Sequence, residues 1–191
     1  MSFDRVRFDS YMLRSSLAKH KRIKSKLLKL INKSPAEENG RIVDDYYNDN
    51  ITRNDFNSGD DFTRPWIKYF FKYLKEYLMS VSHELGYGEI RINRVWFQHY
   101  DKDSLHNWHL HENNYTGVYY LDMPKGSAPT EFINPSNFKE KFVNHGQEGD
   151  IISFPCYIIH RAAQQKVKGR KTIISWNLDF EKIRPDLVNT L

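Results

Sequence analysis

The sequence predicts an α+β domain in which two amphipathic helices precede a series of short strands. Two apolar stripes at helical spacing, within residues 10–32 and 63–86, predict the helices. From residue 89 onward, runs rich in β-branched and aromatic residues alternate with Gly, Pro and Asn turns, which predicts strands that curl into a sandwich or barrel. A chain of 191 residues fits one domain, so we expect residues 1–191 to fold together.

The first helix is predicted between about Ser10 and Asn32. Apolar side chains recur there close to helical spacing, with Lys and Arg between them, at Leu13, Leu17, Ile23, Leu27, Leu30 and Ile31. The helix should end before Pro35, because proline disfavours helical geometry in the residue that precedes it. We therefore expect a basic N-terminal helix within residues 1–35.

Residues 36–61 are predicted to form a loop, because they are rich in Asn, Asp and Gly and hold only short apolar pairs. Long loops in compact domains are often lids or substrate contacts, so residues 40–60 are a candidate lid. A second helix is then predicted over residues 62–86. Thr63 is a suitable N-cap, Pro65 suits the first turn, and Gly86 ends the helix.

The remaining residues, 89–180, are predicted to form the strands of the core. The strand candidates are Ile90–Tyr100, Tyr115–Leu121, Glu131–Ile133, Lys141–Asn144, Asp150–Phe154 and Thr172–Phe180. The apolar stripe of the second helix should pack against the sheet that these strands form.

Composition excludes several classes of protein. The single cysteine, Cys156, rules out an intramolecular disulfide and a cysteine-based zinc site. There is no apolar stretch of about 18 residues and no signal-peptide core, so we expect a soluble, cytoplasmic protein without a membrane partner, in the host cytoplasm if a phage encodes it. Residues 5–33 carry ten Lys or Arg against one acidic residue. Such a stripe either binds an anionic partner such as nucleic acid or, more commonly, is the solvated face of a helix.

Three histidines are candidate metal ligands. If residues 109–112, His-Leu-His-Glu, form a strand, His109 and His111 lie on one face because side chains alternate along a strand. Both imidazoles can then reach one metal ion, and His160, just before a predicted strand, is the natural third ligand. Imidazole ligands suit Fe(II), and an open set of three leaves positions for a substrate and oxygen.

Ten residues after His160, Arg170 is a candidate anchor for a carboxylate. A 2-oxo acid that chelates iron needs its distal carboxylate held, and the planar guanidinium of an arginine does this through a bidentate pair. Thr172 lies two residues on, so its hydroxyl would share that face of a strand and that carboxylate. Tyr100 is the candidate for a further hydrogen bond to the same molecule, and His99 and His106 are near enough in sequence to line the pocket.

Two stretches carry a resemblance to a known family. The run His-Leu-His-Glu-Asn-Asn-Tyr-Thr-Gly-Val-Tyr-Tyr-Leu (109–121) resembles the H-x-H segment and following strand of the 2-oxoglutarate- and Fe(II)-dependent oxygenases of bacteria and tailed phages. The stretch from Gly149-Asp150 through Phe154-Pro155, His160 and Arg170 to Asn177 is similar to the final motif of that family. The resemblance covers roughly residues 90–180.

The resemblance implies a double-stranded β-helix, or jelly roll, related to the prolyl hydroxylases. It implies Fe(II) as cofactor, 2-oxoglutarate and O2 as cosubstrates, and hydroxylation of a C–H bond with release of succinate and CO2. Peptidyl proline, a free amino acid and a small metabolite are all compatible as the primary substrate.

One departure from the family concerns the ligands, because the wider superfamily has an acidic residue where this chain has His111. A set of His109, His111 and His160 keeps the spacing. Alternatively, Glu112 supplies a carboxylate through a bulge, or His111 is the first ligand and Asn113 or water completes the shell.

Two other functions remain open at this point. One is a non-catalytic jelly roll that binds a metal or another ligand. The other is an oxygenase directed at nucleic acid, which the basic residues between 5 and 33 would serve.

Overall fold

The computed structural model describes residues 10–40 and 49–188, and in it two antiparallel sheets face each other as a jelly roll with helices packed on one side. The helices are α1 (His20–Asn32), α2 (Pro65–Glu84) and the short α3 (Pro185–Val188), and a 3-10 turn spans Phe56–Ser58. The strands are β1 (Leu13–Ser16), β2 (Glu37–Gly40), β3 (Ile51–Asn54), β4 (Tyr87–Tyr100), β5 (His106–His109), β6 (Tyr115–Asp122), β7 (Thr130–Asn134), β8 (Asn137–Asn144), β9 (Asp150–Pro155), β10 (His160–Ala162) and β11 (Lys171–Ile183).

The larger sheet has seven strands in the order β1-β9-β6-β11-β4-β3-β2, and the smaller has four in the order β5-β10-β7-β8. The predicted α+β fold class, with a double-stranded β-helix and N-terminal helices on the sheet, is therefore confirmed. None of the helices described is long and apolar enough to cross a membrane.

Alternation along β4 divides the interior into two apolar clusters. Val95 and Phe97 belong to the cluster beneath the helices, whereas Tyr100 belongs to the cluster between the two sheets. The sheet therefore separates a helix side from an inter-sheet side, and a shift of one residue moves a side chain from one to the other.

Helix α1 is held to the sheet by apolar and by charged contacts. Ile23, Leu27 and Ile31 form its buried stripe. Lys24 turns inward and pairs with Asp122 and Glu148, whose carboxylate oxygens lie 2.7 and 2.8 Å from its Nζ.

Helix α2 begins beside a buried ion pair between Arg64 and Asp55. The same carboxylate accepts hydrogen bonds from Trp66 Nε1 at 2.9 Å and from the backbone amide of Phe97 at 2.8 Å. These contacts fix the start of α2 to the middle of β4. The helix ends where expected, because Gly86 follows it with a φ of 78°, which favours glycine.

Two sequence-based boundaries were wrong. The first helix begins at His20 rather than near Ser10, because Leu13–Ser16 pairs with β9 as an edge strand. The segment 36–61 is not only a loop: it contains β2 and β3, because backbone hydrogen bonds to β4 place β3 in the larger sheet despite its polar composition. Residues 41–48 of the candidate lid, and residues 1–9 of the basic N-terminal segment, lie outside the described residues.

The Asp55–Arg64 pair gives a test of the fold. Asp55→Ala should lower the free energy of unfolding by about 3–5 kcal/mol, because it leaves a buried guanidinium without its partner. Glu89→Ala removes the exposed partner of Lys182 and should cost less than about 1 kcal/mol. Urea denaturation of the two variants measures both values, and equal losses would contradict the assigned role of Asp55.

Candidate metal centre

Strand pairing brings two of the predicted ligands together. His109 ends β5, His160 begins β10, and the two residues are direct partners in the antiparallel register of these strands. Their ring centroids are 4.3 Å apart. The smaller sheet therefore places two imidazoles side by side at its inner surface, although 51 positions separate them in the sequence.

His111 joins them from the segment that follows β5. Its Nε2 lies 3.3 Å from Nε2 of His160, and the candidate ligand atoms of all three histidines lie within 4.8 Å of one another. Among the described residues, no other set of three or more His, Cys, Asp or Glu side chains has this arrangement. The predicted strand through residues 109–112 ends at His109, and His111 lies in the irregular segment after it, where its backbone amide donates to the carbonyl of Cys156 at 3.2 Å.

Backbone carbonyls orient two of the rings. Nδ1 of His109 donates to the carbonyl of Asn107 at 2.6 Å, and Nδ1 of His160 donates to the carbonyl of Ile158 at 2.9 Å. With the proton on Nδ1, the lone pair of Nε2 is free to bind a metal. Burial lowers the pKa of all three imidazoles, to about 3 for His111, so they are neutral and able to act as ligands near neutral pH.

The acidic alternative, Glu112, is not part of this group. Its side chain is exposed, and the amide of neighbouring Asn113 donates to Asp179 at 3.3 Å. A carboxylate does lie behind the cluster: the Asp49 side chain contacts Nε2 of His106 at 3.3 Å.

The His106 ring stacks on the His109 ring with centroids 3.7 Å apart. Asp49 also accepts a hydrogen bond from the backbone amide of Asn107 at 2.7 Å. His106 was expected near the pocket, but Asp49 was not. Nothing in the residues around Asp49 indicates a contact with β5.

A buried cation lies on the same side of the larger sheet as the three histidines. Lys171 is 2% exposed, and its Nζ donates to the carbonyl of Ala128 at 2.7 Å. It lies over the rings of Tyr100 and Tyr120, at 5.6 and 5.8 Å from their centroids. In the part of the chain that the structure describes, Lys171 forms no ion pair, and burial lowers its pKa to about 8. The Tyr100 hydroxyl is buried without a hydrogen-bond partner.

Arg170 and Thr172 lie on the opposite side of the sheet from this cluster, which corrects the expectation that they hold a carboxylate beside the histidines. The Arg170 guanidinium forms a bidentate pair with the Asp101 carboxylate, with two contacts of 2.8 Å. Thr172 is a register partner of His99, whose side chain lies against Phe97 of the helix-side cluster. The prediction was one residue out of register, and Lys171 has the inward position.

Polar side chains complete the wall between the two sheets. They come from β4, β5, β6, β7 and β11, and they are Gln98, Tyr100, His106, Thr116, Thr130 and Ser175. The pocket thus combines three candidate ligand atoms with hydroxyl and amide groups, and Tyr100 in its wall contacts the Lys171 cation, which has no carboxylate partner among the described residues. Such a set can hold a divalent metal together with an anionic chelating molecule.

No family model matches the sequence, and no curated protein matches it. Solved structures do match in fold. An oxidoreductase of the 2OG-Fe(II) oxygenase family from Burkholderia pseudomallei has a TM-score of 0.73 at 13% identity, over 90% of this chain and 86% of that one. A viral collagen prolyl hydroxylase from Paramecium Bursaria Chlorella virus-1, solved with 2OG, has a TM-score of 0.58 at 16% identity, over 88% and 94%.

HygX from Streptomyces hygroscopicus, solved with nickel and 2-oxoglutarate, has a TM-score of 0.63 at 11% identity, over 88% of this chain and 82% of that one. At these identities the likeness establishes the fold. The resemblance to 2-oxoglutarate- and Fe(II)-dependent oxygenases that the sequence motifs carry is confirmed at that level.

The ligand set can be tested by two neighbouring substitutions. His111→Ala should lower the affinity for Co(II), used as an oxygen-stable substitute for Fe(II), by on the order of 100-fold, because it removes one of three ligand atoms. Glu112→Ala should leave the affinity within about twofold, since the Glu112 side chain is exposed outside the cluster. Calorimetric titration measures both, and a large loss confined to Glu112→Ala would refute the three-histidine set.

Proposed function

We propose that this protein is an Fe(II)- and 2-oxoglutarate-dependent oxygenase that hydroxylates a C–H bond of its substrate. One observation carries the proposal: three neutral imidazoles converge beside a buried ammonium group that has no carboxylate partner. We also propose that residues 1–191 form a single domain for this activity. Peptidyl proline, a free amino acid and a small metabolite remain the candidate substrate classes.

His109, His111 and His160 are the proposed metal ligands. The carbonyl contacts of His109 and His160 at Nδ1 leave Nε2 available, as metal binding requires. When bound, Fe(II) would supply the activation of O2 that is coupled to decarboxylation of 2-oxoglutarate to succinate and CO2. Because all three ligands are neutral, an anionic chelate such as 2-oxoglutarate would offset the metal's charge.

Lys171 and Tyr100 are proposed to hold the distal carboxylate of 2-oxoglutarate, in place of Arg170 and Thr172. A buried ammonium without an anion is costly, so a carboxylate that reaches it gains a strong charge-assisted hydrogen bond. The unpartnered Tyr100 hydroxyl can donate to the same carboxylate. This role for Lys171 is supported by its place on the inter-sheet side, where Arg170 is absent.

Asp49 and His106 are proposed as positioning residues. The Asp49 carboxylate lies 3.3 Å from Nε2 of the His106 ring and accepts a hydrogen bond from the Asn107 amide. Both contacts fix β5 near His109, whose ring packs on that of His106. Together they would hold the first ligand in place before the metal arrives and supply negative charge near the site.

The direct test of activity is turnover without the unknown substrate. Protein supplied with Fe(II), ascorbate and 2-oxoglutarate should slowly release succinate, and His160→Ala should abolish that release because it removes a ligand from the centre of the cluster. Mass spectrometry of succinate measures the rate. If metal binds but no succinate forms, the protein is the non-catalytic metal-binding jelly roll instead.

The cosubstrate anchor can be tested with adjacent residues as a matched pair. Lys171→Met should weaken binding of 2-oxoglutarate to the Co(II)-loaded protein by about 10- to 100-fold, because it removes a charge-assisted hydrogen bond worth about 1.5–3 kcal/mol. Arg170→Met should change the affinity by less than about twofold, since Arg170 pairs with Asp101 on the outside. Calorimetry measures the affinity of both variants for 2-oxoglutarate. A large loss in Arg170→Met and none in Lys171→Met would identify Arg170 as the anchor instead.

The affinity for 2-oxoglutarate should also depend on pH through Lys171. Its pKa of about 8 means that the binding-competent ammonium is present below that pH and lost as the pH rises through it. Affinity should be nearly constant from about pH 6 to 7 and fall roughly tenfold between about pH 7 and 9. Titrations of the Co(II)-loaded protein across this range would show the decline, and Lys171→Met should lack it. An identical decline in the variant would assign the effect to another group.

A further inference from the structure

The outer surface of the two long helices carries two stripes of exposed cations. On and just after α1 these are Arg22, Lys26, Lys29 and Lys33, spaced at i, i+4, i+7 and i+11. On α2 they are Lys68 and Lys72, also one turn apart. We call these six side chains the basic face. The α1 stripe runs for about 16 Å along the helix.

Tyrosines of α2 join the two stripes into one surface. Nζ of Lys26 lies 4.6 Å from the ring centroid of Tyr69, and Nζ of Lys72 lies 4.9 Å from that of Tyr73. The two rings contact each other edge to face, with centroids 6.0 Å apart. The cations of α1 therefore reach across to α2 instead of pointing into separate regions of solvent.

No acidic side chain of residues 10–40 or 49–188 pairs with the basic face. The sequence has no Asp or Glu between residues 10 and 36 or between residues 65 and 75. Within the described ranges, none of the six cations forms an ion pair, and the nearby pair of Lys19 with Glu76 is outside the set. Lys24 is the contrast, because it turns inward and has two carboxylate partners. The six charges are therefore available to an external anion.

We propose that the basic face docks on the phosphate backbone of double-helical nucleic acid. Regularly spaced cations on a rigid surface match a backbone of regularly spaced phosphates, and this contact needs no base recognition. A membrane surface fits less well. Interfacial helices insert an apolar side, whereas α1 buries its apolar stripe against the domain and exposes no large apolar side chain in the described residues.

A single strand also fits less well. Single-strand binding uses exposed aromatic rings on which bases stack. Here Tyr73 is 8% exposed, and both Tyr69 and Tyr73 are covered by lysine side chains. The surface thus offers charge without stacking platforms, which favours a duplex.

The docked nucleic acid would be a partner and not the substrate of the metal centre. Helices α1 and α2 pack on the cluster that contains Val95 and Phe97, whereas the histidines lie on the other side of the larger sheet, with Tyr100 and Gln98. A duplex on the basic face cannot send a base through that sheet. This inference is independent of the proposed oxygenase activity.

The test is the salt dependence of duplex binding, measured by fluorescence anisotropy with a labelled DNA duplex of arbitrary sequence. Each phosphate contact contributes about −0.9 to the slope of log affinity against log salt concentration, so contacts by all six side chains should give a slope of about −5. The full-length variant R22Q/K26Q/K29Q/K33Q should reduce the magnitude of the slope by about 3.6 and weaken binding at least about tenfold at low salt.

The matched control is K125Q/K139Q/K166Q/K168Q, which removes the same number of positive charges from exposed positions away from the basic face. It should leave the slope within about 1 of the parent value. Should the α1 variant lose its helical circular dichroism, K68Q/K72Q tests the same face from α2 and should reduce the slope by about 2.

Four outcomes would overturn the proposal. They are the absence of salt-dependent duplex binding, equal losses in the α1 variant and the matched control, tighter binding to single strands than to the duplex, and binding to phosphatidylserine vesicles without binding to the duplex.

Discussion

Alternation of side chains along the paired strands β4 and β11 is the constraint on which both the helix side and the inter-sheet side of the larger sheet depend. Twelve register positions join these strands, so their inward and outward residues are fixed together. Lys171 and Tyr100, register partners, face the histidines, while Thr172 and its partner His99 face the helices. The contacts that hold the helices and the proposed cosubstrate site thus lie on opposite sides of one sheet, and neither set of residues can serve the other side.

Charge balance explains how a candidate metal site of three histidines would still suit an anionic ligand. The three imidazoles are neutral, and burial keeps them so. The positive charge comes from Lys171, and Asp49 contributes its negative charge one layer out, through His106. A dicarboxylate that bridges metal and ammonium complements this distribution, because one carboxylate meets each cation. The buried amine and the unpartnered Tyr100 hydroxyl are otherwise unexplained costs in the interior.

The sequence predicted the parts of this arrangement that depend on residue type and could not predict those that depend on register. His109, His111 and His160 stand out in the sequence because two imidazoles are spaced to share one face and a third precedes a predicted strand. Arg170 was predicted as the anchor because arginine suits a carboxylate in general, yet a shift of a single position decides which residue points inward. Strand β3 was not predicted, because backbone pairing with β4 places it in the sheet and its side chains do not indicate that pairing. The contact of Asp49 with His106 joins residues 57 positions apart and has no local signal.

The most direct measurement is a crystal structure of the protein with a divalent metal and 2-oxoglutarate, with the metal located by anomalous scattering. We expect Nε2 atoms of His109, His111 and His160 at about 2.0–2.2 Å from the metal, and the distal carboxylate of 2-oxoglutarate at Nζ of Lys171. A protein carboxylate among the ligands, or 2-oxoglutarate bound at Arg170 outside the sheet, would contradict this expectation.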